Sequence, residues 1–290
     1  GNQDGNSIGD FYYEPPTDYL ALCTSNLDAP SIKKPGDNFN TVLYTGDAST
    51  RSITGVGFQP DFIWAKSRAN TRDHVASDVV RGVENNLSPN TSGVADTGAT
   101  NAITSFDSDG WSMGSDGLWN ANTETFVAWN WLAGGTAASN TDGDITSSVS
   151  ANTEAGMSVV TYTGNRVGSA QNGDTFGHGL SQAPELIFCK NLSATENWIV
   201  YAKPLGTSGG EEGYLILNLT NAAGYSNGGW YSAPTATLSP GLGSWANVNN
   251  DGDEFVAYCF HSVEGYSKVG SYEGNGNADG TFVYTGGFRP

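Results

Sequence analysis

Short apolar and aromatic runs, separated by polar turns, are the dominant pattern along this chain. Many of the runs are rich in β-branched or aromatic side chains, and turn dipeptides such as Asp109-Gly110 and Asp251-Gly252 lie between them. Such a pattern is typical of antiparallel β-sandwiches. We therefore predict an all-β fold of antiparallel sandwiches with very little helix, the only helical candidate being one turn at 78–82. The predicted strands are 42–44, 62–64, 126–131, 158–162, 186–188, 198–201, 214–219, 255–260 and 281–284.

A long internal repeat organises these runs. Tyr-Thr-Gly occurs at 44–46 and again at 162–164, and the two stretches that follow end in Phe-Val-Ala-Trp at 126–129 and Phe-Val-Ala-Tyr at 255–258. A repeat of roughly a hundred residues has the size of a whole domain. We predict tandem β-sandwich repeats at 39–134 and 157–264. The small, polar, Gly-rich segment 135–156 is the predicted linker, with 145–149 as an alternative short strand that docks on a neighbour.

Both ends of the chain carry parts of the same pattern. Residues 19–23 have the form of the closing strand at 255–259, and residues 270–276 followed by 287–290 have the form of a repeat opening. We interpret 1–38 as the end of a preceding sandwich unit plus a linker. Residues 265–290 are then the start of a further repeat, or strands exchanged with the first segment or with a neighbouring subunit. The sequence is thus expected to be a section of a longer array.

Charge narrows the range of partners. The chain has 12 Lys and Arg against 30 Asp and Glu, which gives a formal net charge of −18. A surface this acidic disfavours a nucleic-acid backbone as a partner. No apolar run reaches the length of a membrane span, so we predict no membrane insertion.

The distribution of acidic and nucleophilic residues gives little indication of catalysis. The carboxylates lie mostly in turns, and no strand carries two acids spaced to face one groove, as a glycosidase requires. The histidines, His74, His178 and His261, come without a Gly-x-Ser-x-Gly elbow or a comparable nucleophile. We therefore predict that the protein is not an enzyme.

Two acidic turns are the only candidate metal sites. Asp107 and Asp109 in one turn, and Asp251 and Asp253 in another, offer clustered oxygen ligands that suit Ca²⁺. Neither turn has the distal glutamate of the twelve-residue calcium hand, so ordinary hairpin turns are the alternative. Apart from Ca²⁺, no cofactor is predicted.

Aromatic residues in Gly-, Asn- and Ser-rich surroundings are the candidate glycan platforms. An exposed ring flanked by amides is a common support for a sugar, whereas packing of the same rings in a core is the alternative. Trp119 and Trp245 are predicted to occupy equivalent places, just before the closing strand of each repeat. The candidate glycan-binding residues are Trp119, Asn122, Trp245, Asn247, Trp230 and Tyr231.

Several motifs together resemble those of a known group of proteins. These are Phe-Tyr-Tyr-Glu-Pro-Pro at 11–16, the Tyr-Thr-Gly openings, the Pro turns, Ala-Tyr-Cys-Phe at 257–260 and Gly-Tyr-Ser-Lys at 265–268. As a set they resemble the repeat-bearing structural proteins of marine tailed bacteriophages. The leading segment is similar to the end of a SPRY-like, concanavalin-type sandwich. The resemblance implies concanavalin- or jelly-roll-like repeats in a virion protein and brings no catalytic residues.

These observations combine into one functional expectation. We expect a non-enzymatic virion structural protein, a tail fibre or another exposed appendage at the virion surface, which presents β-sandwich domains for attachment to a host-surface glycan. Repeated weak sites would act through avidity. The expected partners are copies of the chain itself, other virion proteins and the glycan. The alternatives are a head-decoration or fibre-shaft protein that serves only self-assembly, and a secreted glycan-active enzyme or carbohydrate-binding module.

Overall fold

The computed structural model describes residues 1–26, 30–168, 173–286 and 288. The chain divides into two compact units, Gly1–Lys33 and Lys34–Pro290. Within the described residues there are twenty strands and a single α-helix, α1, at Gly117–Asn120. The prediction of an all-β, antiparallel fold with very little helix is confirmed. None of the described helices is long and apolar enough to cross a membrane.

The strands and short helices have the following bounds. The first repeat contains β1 Phe39–Thr45, β2 Arg51–Thr54, β3 Phe62–Ser67, β4 Val75–Asp78, β5 Asn85–Asn86, β6 Asp96–Thr97, β7 Ile103–Asp107, β8 Gly110–Met113 and β9 Thr125–Trp131. It is followed by β10 Ala138–Asn140, β11 Ser147–Asn152, β12 Met157–Thr163, β13 Leu186–Asn191, β14 Ile199–Ala202, β15 Thr207–Ser208, β16 Glu211–Ile216, β17 Gly224–Tyr225, β18 Trp230–Ser232, β19 Gly241–Leu242 and β20 Glu254–Phe260. The 3-10 helices are Thr24–Asn26, Pro35–Asp37 and Lys203–Leu205.

Two large sheets carry the fold. One has the order β1-β9-β3-β4, and the other has the order β10-β11-β12-β20-β13-β14-β16-β15, with β17 paired to β16. A three-stranded sheet, β2-β8-β7, and the pairs β18-β19 and β5-β6 complete the described structure. The order β1-β9-β3-β4 recurs as β12-β20-β13-β14, so the sequence repeat is also a repeat of topology.

The Tyr-Thr-Gly motif has the same structural role in both repeats. The Tyr44 hydroxyl donates to the Trp119 carbonyl at 2.7 Å, and the Tyr162 hydroxyl donates to the Val248 carbonyl at 2.7 Å. In each copy the glycine lies against a loop backbone: a Cβ at Gly46 would lie 2.2 Å from a carbonyl oxygen, and the same holds at Gly164. Real Cβ atoms do not approach so closely, so the motif requires glycine at its third position.

Gly46→Ala is expected to lower the free energy of unfolding by about 1–3 kcal/mol, because the added methyl group overlaps the Ala121 carbonyl. Equilibrium urea unfolding measures the change. Gly36→Ala is the matched control, since a Cβ there meets nothing within 4 Å. Equal stability of the two variants would contradict the account of the motif.

Three apolar cores alternate with the two large sheets. The first outer core lies between the four-stranded sheet and β2-β8-β7, and includes Ile63, Trp111, Met113 and Phe126. The central core includes Phe62, Ala76, Leu87, Met157, Val159, Trp198, Val256 and Tyr258. The second outer core covers the other face of the nine-stranded sheet, and includes Tyr162, Phe176, Ile187, Trp230 and Phe255. Alternate residues of β20 therefore enter two different cores, as expected of a strand that is buried on both faces.

The central core joins the two repeats. The Phe62 ring of the first repeat stacks on the Tyr258 ring of the second, with centroids 4.1 Å apart. The larger unit is therefore one compact body from Lys34 onward, rather than two sandwiches connected by a linker. This unit begins at residue 34, before the boundary between 38 and 39 that the repeat pattern predicts.

Segment 135–156 is not a linker. It contains β10 and β11, which extend the nine-stranded sheet, and Val149 of β11 is buried opposite Val160 of β12. The alternative prediction, a short strand at 145–149 that docks on a neighbour, is closer to the structure, because β11 covers Ser147–Asn152. The polar composition of this segment does not keep it at the surface, since Ser147 and Ser150 are buried in the sheet.

Several smaller predictions fail. Residues 78–82 form the end of β4 and a turn instead of a helix, and residues 19–23 and 281–284 are not strands. In the smaller unit the Asp4 carboxylate organises the backbone by accepting from the Ile8 and Ala21 amides at 2.9 and 2.7 Å. The turn predicted at 287–290 lies outside the described residues except for Phe288, and so do residues 27–29 of the predicted leading segment.

Candidate functional site

A pocket of about 560 Å³ opens between the two repeats, beside the central core. One wall is the face of the nine-stranded sheet, and the other is formed by residues 80–97 of the first repeat. Leu192, Ser193 and Glu254 complete the lining. We call this space the Arg81 pocket, after the buried cation in its wall.

Sheet geometry places a row of hydroxyl groups in this pocket. Ser139 of β10 lies opposite Ser148 of β11, which lies opposite Thr161 of β12. Side chains of neighbouring strands at such opposed positions project from the same face. Ser148 and Thr161 are half-buried, whereas Ser139 and Thr163 at the rim are exposed. We call Ser139, Ser148 and Thr161 the hydroxyl row.

A buried ion pair fixes the opposite wall. The Arg81 Nε donates to Asp78 Oδ2 at 2.6 Å, and the Arg81 and Asp78 side chains are only 5% and 0% exposed. The Tyr258 hydroxyl donates to the same Asp78 oxygen at 2.7 Å. Burial raises the pKa of the Tyr258 hydroxyl well above its usual value, so this group stays protonated and remains a donor. Because Tyr258 belongs to the second repeat, these contacts tie Arg81 to both repeats.

Arg81 has hydrogen-bonding capacity left over. Its Nη1 is buried and has no hydrogen-bond partner in the described part of the chain. Buried polar atoms are normally paired, and Arg81 lines the pocket, so this guanidinium nitrogen is a candidate donor to an acceptor bound there. Asp78 already balances the charge of Arg81, which makes a neutral acceptor more suitable than an anion.

The pocket is therefore suited to a neutral ligand with several hydroxyl groups. Serine and threonine hydroxyls both donate and accept, Arg81 only donates, and the exposed Glu254 carboxylate at the rim only accepts. Such a mixed set matches the alternating donors and acceptors of a saccharide better than it matches an apolar or strongly charged molecule.

Two of the predicted glycan platforms are core residues instead. Trp119 is fully buried in the first outer core, where its Nε1 donates to Asn86 Oδ1 at 3.0 Å. Trp230 is fully buried in the second outer core, edge-on to Tyr201. Neither ring is available to stack on a sugar, so the packing alternative is correct for both. The polar neighbours that suggested exposure are used internally: Asn120 donates to the carbonyls of Ser49 and Gly114.

The other four candidates lie nearer the surface but do not line the Arg81 pocket. Trp245 is half-buried and packs edge-on against Tyr214 at 4.8 Å, and Asn247 donates to the Asn197 carbonyl at 3.2 Å. Tyr231 is 46% exposed, and Asn122 is also exposed.

Trp119 and Trp245 are not structural equivalents. The Asn120 amide donates to the Asp116 carbonyl, and the corresponding amide of Asn249 donates to the Trp245 carbonyl. Trp245 therefore corresponds to Asp116, and Trp119 corresponds to Val248. The predicted equivalence was wrong by three positions.

The two acidic turns use their carboxylates within the fold. Asp107 accepts from the Ser105 and Ser112 hydroxyls at 2.8 and 2.7 Å. Asp109 accepts from the Gly57 and Gly55 amides, which lowers the pKa of its carboxyl.

In the second turn, Asp253 accepts from the Asn191 and Asn250 amides at 2.8 Å each, while Asp251 is exposed. Among the described residues, no group of three or more His, Cys, Asp or Glu side chains is arranged to hold a metal ion. The contacts of Asp107, Asp109 and Asp253 are those of ordinary turns.

Comparison with known proteins gives one family. Residues 34–290 match the model of a family described as a domain of unknown function (DUF7483). The match begins where the larger compact unit begins. No curated protein and no solved structure shows a significant match to the chain.

Proposed function

We propose that this chain, which belongs to the DUF7483 family, is a non-enzymatic structural protein of a virion appendage that binds a neutral host-surface glycan in the Arg81 pocket. The observation that carries the binding part is that the hydroxyl row lines the same pocket as Arg81, whose buried Nη1 has no hydrogen-bond partner among the described residues. A saccharide supplies acceptors for Arg81 and both donors and acceptors for the hydroxyl row.

Two carboxylates that accept hydrogen bonds from backbone amides support a structural role. Asp61 is fully buried and accepts from the Ala133 and Gly135 amides at 2.8 and 3.0 Å. Glu185, at the corresponding place in the second repeat, accepts from the Ser262 amide at 2.9 Å. Both acids accept hydrogen bonds from backbone amides in the segment that follows the closing strand of their repeat. Acids that accept hydrogen bonds from the backbone in this way have a structural use in the fold.

The location on a virion rests on the motif resemblance to structural proteins of marine tailed bacteriophages. A tail fibre or similar appendage has to hold its binding surface rigidly at a distance from the particle. Two repeats that share a central core make a stiffer element than two domains on a flexible linker. Many copies on one particle would then turn weak individual sites into stable attachment.

A glycan array comparing the wild type with a Ser148→Ala/Thr161→Val variant tests the binding site. The variant removes two hydroxyls of the row with little change in shape. A hydrogen bond contributes about 0.5–1.5 kcal/mol net, so loss of two is expected to weaken binding by roughly tenfold or more.

Thr41→Val is the matched control, because Thr41 is an exposed strand residue outside the pocket. It should bind like the wild type, and circular dichroism should show that all three proteins are folded. Undiminished binding by the folded double variant would contradict the proposal. Binding that is lost on Trp245→Ala or Tyr231→Ala would instead favour these two aromatic residues as the glycan platform.

A further inference from the structure

A second opening lies at the other end of the same interface between the repeats. It is a cleft of about 450 Å³ lined by both large sheets. Its lining comes from the starts of β1, β3, β12 and β13, from the ends of β9 and β20 and from residues 266–269. The Arg81 pocket instead adjoins Thr163 and Glu254, at the opposite ends of β12 and β20. We call it the aromatic cleft, after the side chains Phe39, Trp64, Trp131, Phe188 and Phe260.

The walls of this cleft are ring systems that meet across the repeats. Trp64 packs edge-on against Phe188 at 6.2 Å, and Trp131 packs edge-on against Phe260 at 6.1 Å. All four rings are half-buried, so part of each remains open toward the cleft. Burial of such apolar surface favours an apolar occupant, and aromatic rings offer both stacked and edge-on contacts.

One polar group in the lining lacks a partner. His261 is 4% exposed, and its Nδ1 lies 2.9 Å from the Ser262 carbonyl oxygen. A carbonyl only accepts, so Nδ1 carries the hydrogen, and in the neutral ring Nε2 is then an acceptor. Nε2 is buried and makes no hydrogen bond within the described residues. Because His261 lines the cleft, Nε2 is the candidate acceptor for a hydroxyl group of an occupant.

We infer that the aromatic cleft binds a compact aromatic or aliphatic molecule that carries one hydroxyl donor. The cleft volume falls in the range of small-molecule sites, which are mostly apolar with a few placed polar groups. Lys268 lines the mouth but is already engaged, since its Nζ donates to the Tyr284 carbonyl at 3.1 Å. This site does not depend on glycan binding in the Arg81 pocket.

Titration with 2-naphthol and naphthalene tests this inference, because the two probes differ by one hydroxyl group. Fluorescence of the probe measures the dissociation constants. The wild type is expected to bind 2-naphthol about threefold to tenfold more tightly than naphthalene, the usual effect of one hydrogen bond to a neutral acceptor. Equal affinities, or no binding of either probe, would overturn the inference.

Two variants separate the apolar walls from the polar group. Leu186→Trp fills the cleft from a half-buried position and should weaken both probes at least tenfold, with Thr41→Val as the control that binds like the wild type. His261→Phe keeps a ring but removes the acceptor, so the preference for 2-naphthol should disappear while naphthalene still binds. Unchanged binding by folded Leu186→Trp protein would mean that the probes bind outside the cleft and would contradict the assignment. This test can be read even if the His261→Phe variant does not fold.

Discussion

Asp78→Ala is expected to lower the free energy of unfolding by about 3–5 kcal/mol, the usual cost of leaving one member of a buried ion pair alone. Asp78 is fully buried and is the counterion of Arg81, whose side chain is 5% exposed. Without the carboxylate, the guanidinium charge stays in the interface between the repeats, and the Tyr258 hydroxyl loses its acceptor. Equilibrium urea unfolding monitored by circular dichroism measures the loss.

Two further variants identify the cause of this destabilisation. Asp78→Ala/Arg81→Met removes both charges and should recover much of the lost stability, because the uncompensated ion is gone. Tyr258→Phe removes the hydrogen bond to Asp78 and the longer one from Arg81 Nη2 at 3.4 Å but leaves the ion pair in place, so it should cost less, about 1–3 kcal/mol. If Asp78→Ala is within 1 kcal/mol of the wild type, the ion pair does not hold the repeats together as described.

Phe62→Ala is expected to lower the free energy of unfolding by about 3–5 kcal/mol and to destabilise both repeats at once. Phe62 is 1% exposed in the central core and stacks on Tyr258 of the second repeat. Its loss leaves a cavity between the two large sheets. Hydrogen exchange read out by mass spectrometry should show that β1 and β12 lose protection together as denaturant is added.

Phe126→Ala is the control for cooperativity between the repeats. Phe126 is fully buried in the first outer core, stacked on Tyr44 and remote from the second repeat. If residues 34–290 unfold as one body, this variant too should reduce protection in both repeats. Loss of protection confined to 39–134, with 157–264 unchanged, would show instead that the repeats fold as independent domains.

The strands that contain the repeated motifs could be predicted because their pattern is strong. β1, β3, β9, β12, β13 and β20 all coincide with apolar runs in the sequence. The sequence also indicates that the two repeats share a core. Phe-Val-Ala-Tyr-Cys-Phe at 255–260 has no alternation of apolar and polar residues, which is typical of a strand with both faces buried. A free-standing sandwich would have needed polar residues on one face of that strand.

The strands β10 and β11 could not be predicted in the same way. They consist of Ser, Ala, Asn and Val, residues that suit a loop equally well, and their strand conformation comes from pairing with β12. Because the hydroxyl row depends on that pairing, the site was missed along with the strands. The run Ile-Thr-Ser-Ser-Val at 145–149, which predicts a short docking strand, is the sequence signal nearest to this site.

The other parts of the site depend on contacts far apart in sequence. Asp78 and Arg81 are close enough for a local ion pair to be expected, but Tyr258 reaches them only through the central core. Tyr258 stands where the first repeat has Trp129, and this difference between otherwise similar strands is a sign of a specific role. No sequence feature indicates that Trp119 and Trp230 are buried. Polar neighbours such as Asn120 suggest exposure, but Asn120 donates to the Ser49 carbonyl, which is far away in the sequence.

The most direct measurement is a crystal structure of the protein with a saccharide selected on the glycan array. The account predicts that the sugar lies in the Arg81 pocket, with its hydroxyls within hydrogen-bond distance of Ser148 and Thr161 and an oxygen that accepts from Arg81. A sugar bound instead at Tyr231 or Trp245, with the Arg81 pocket empty, would contradict it.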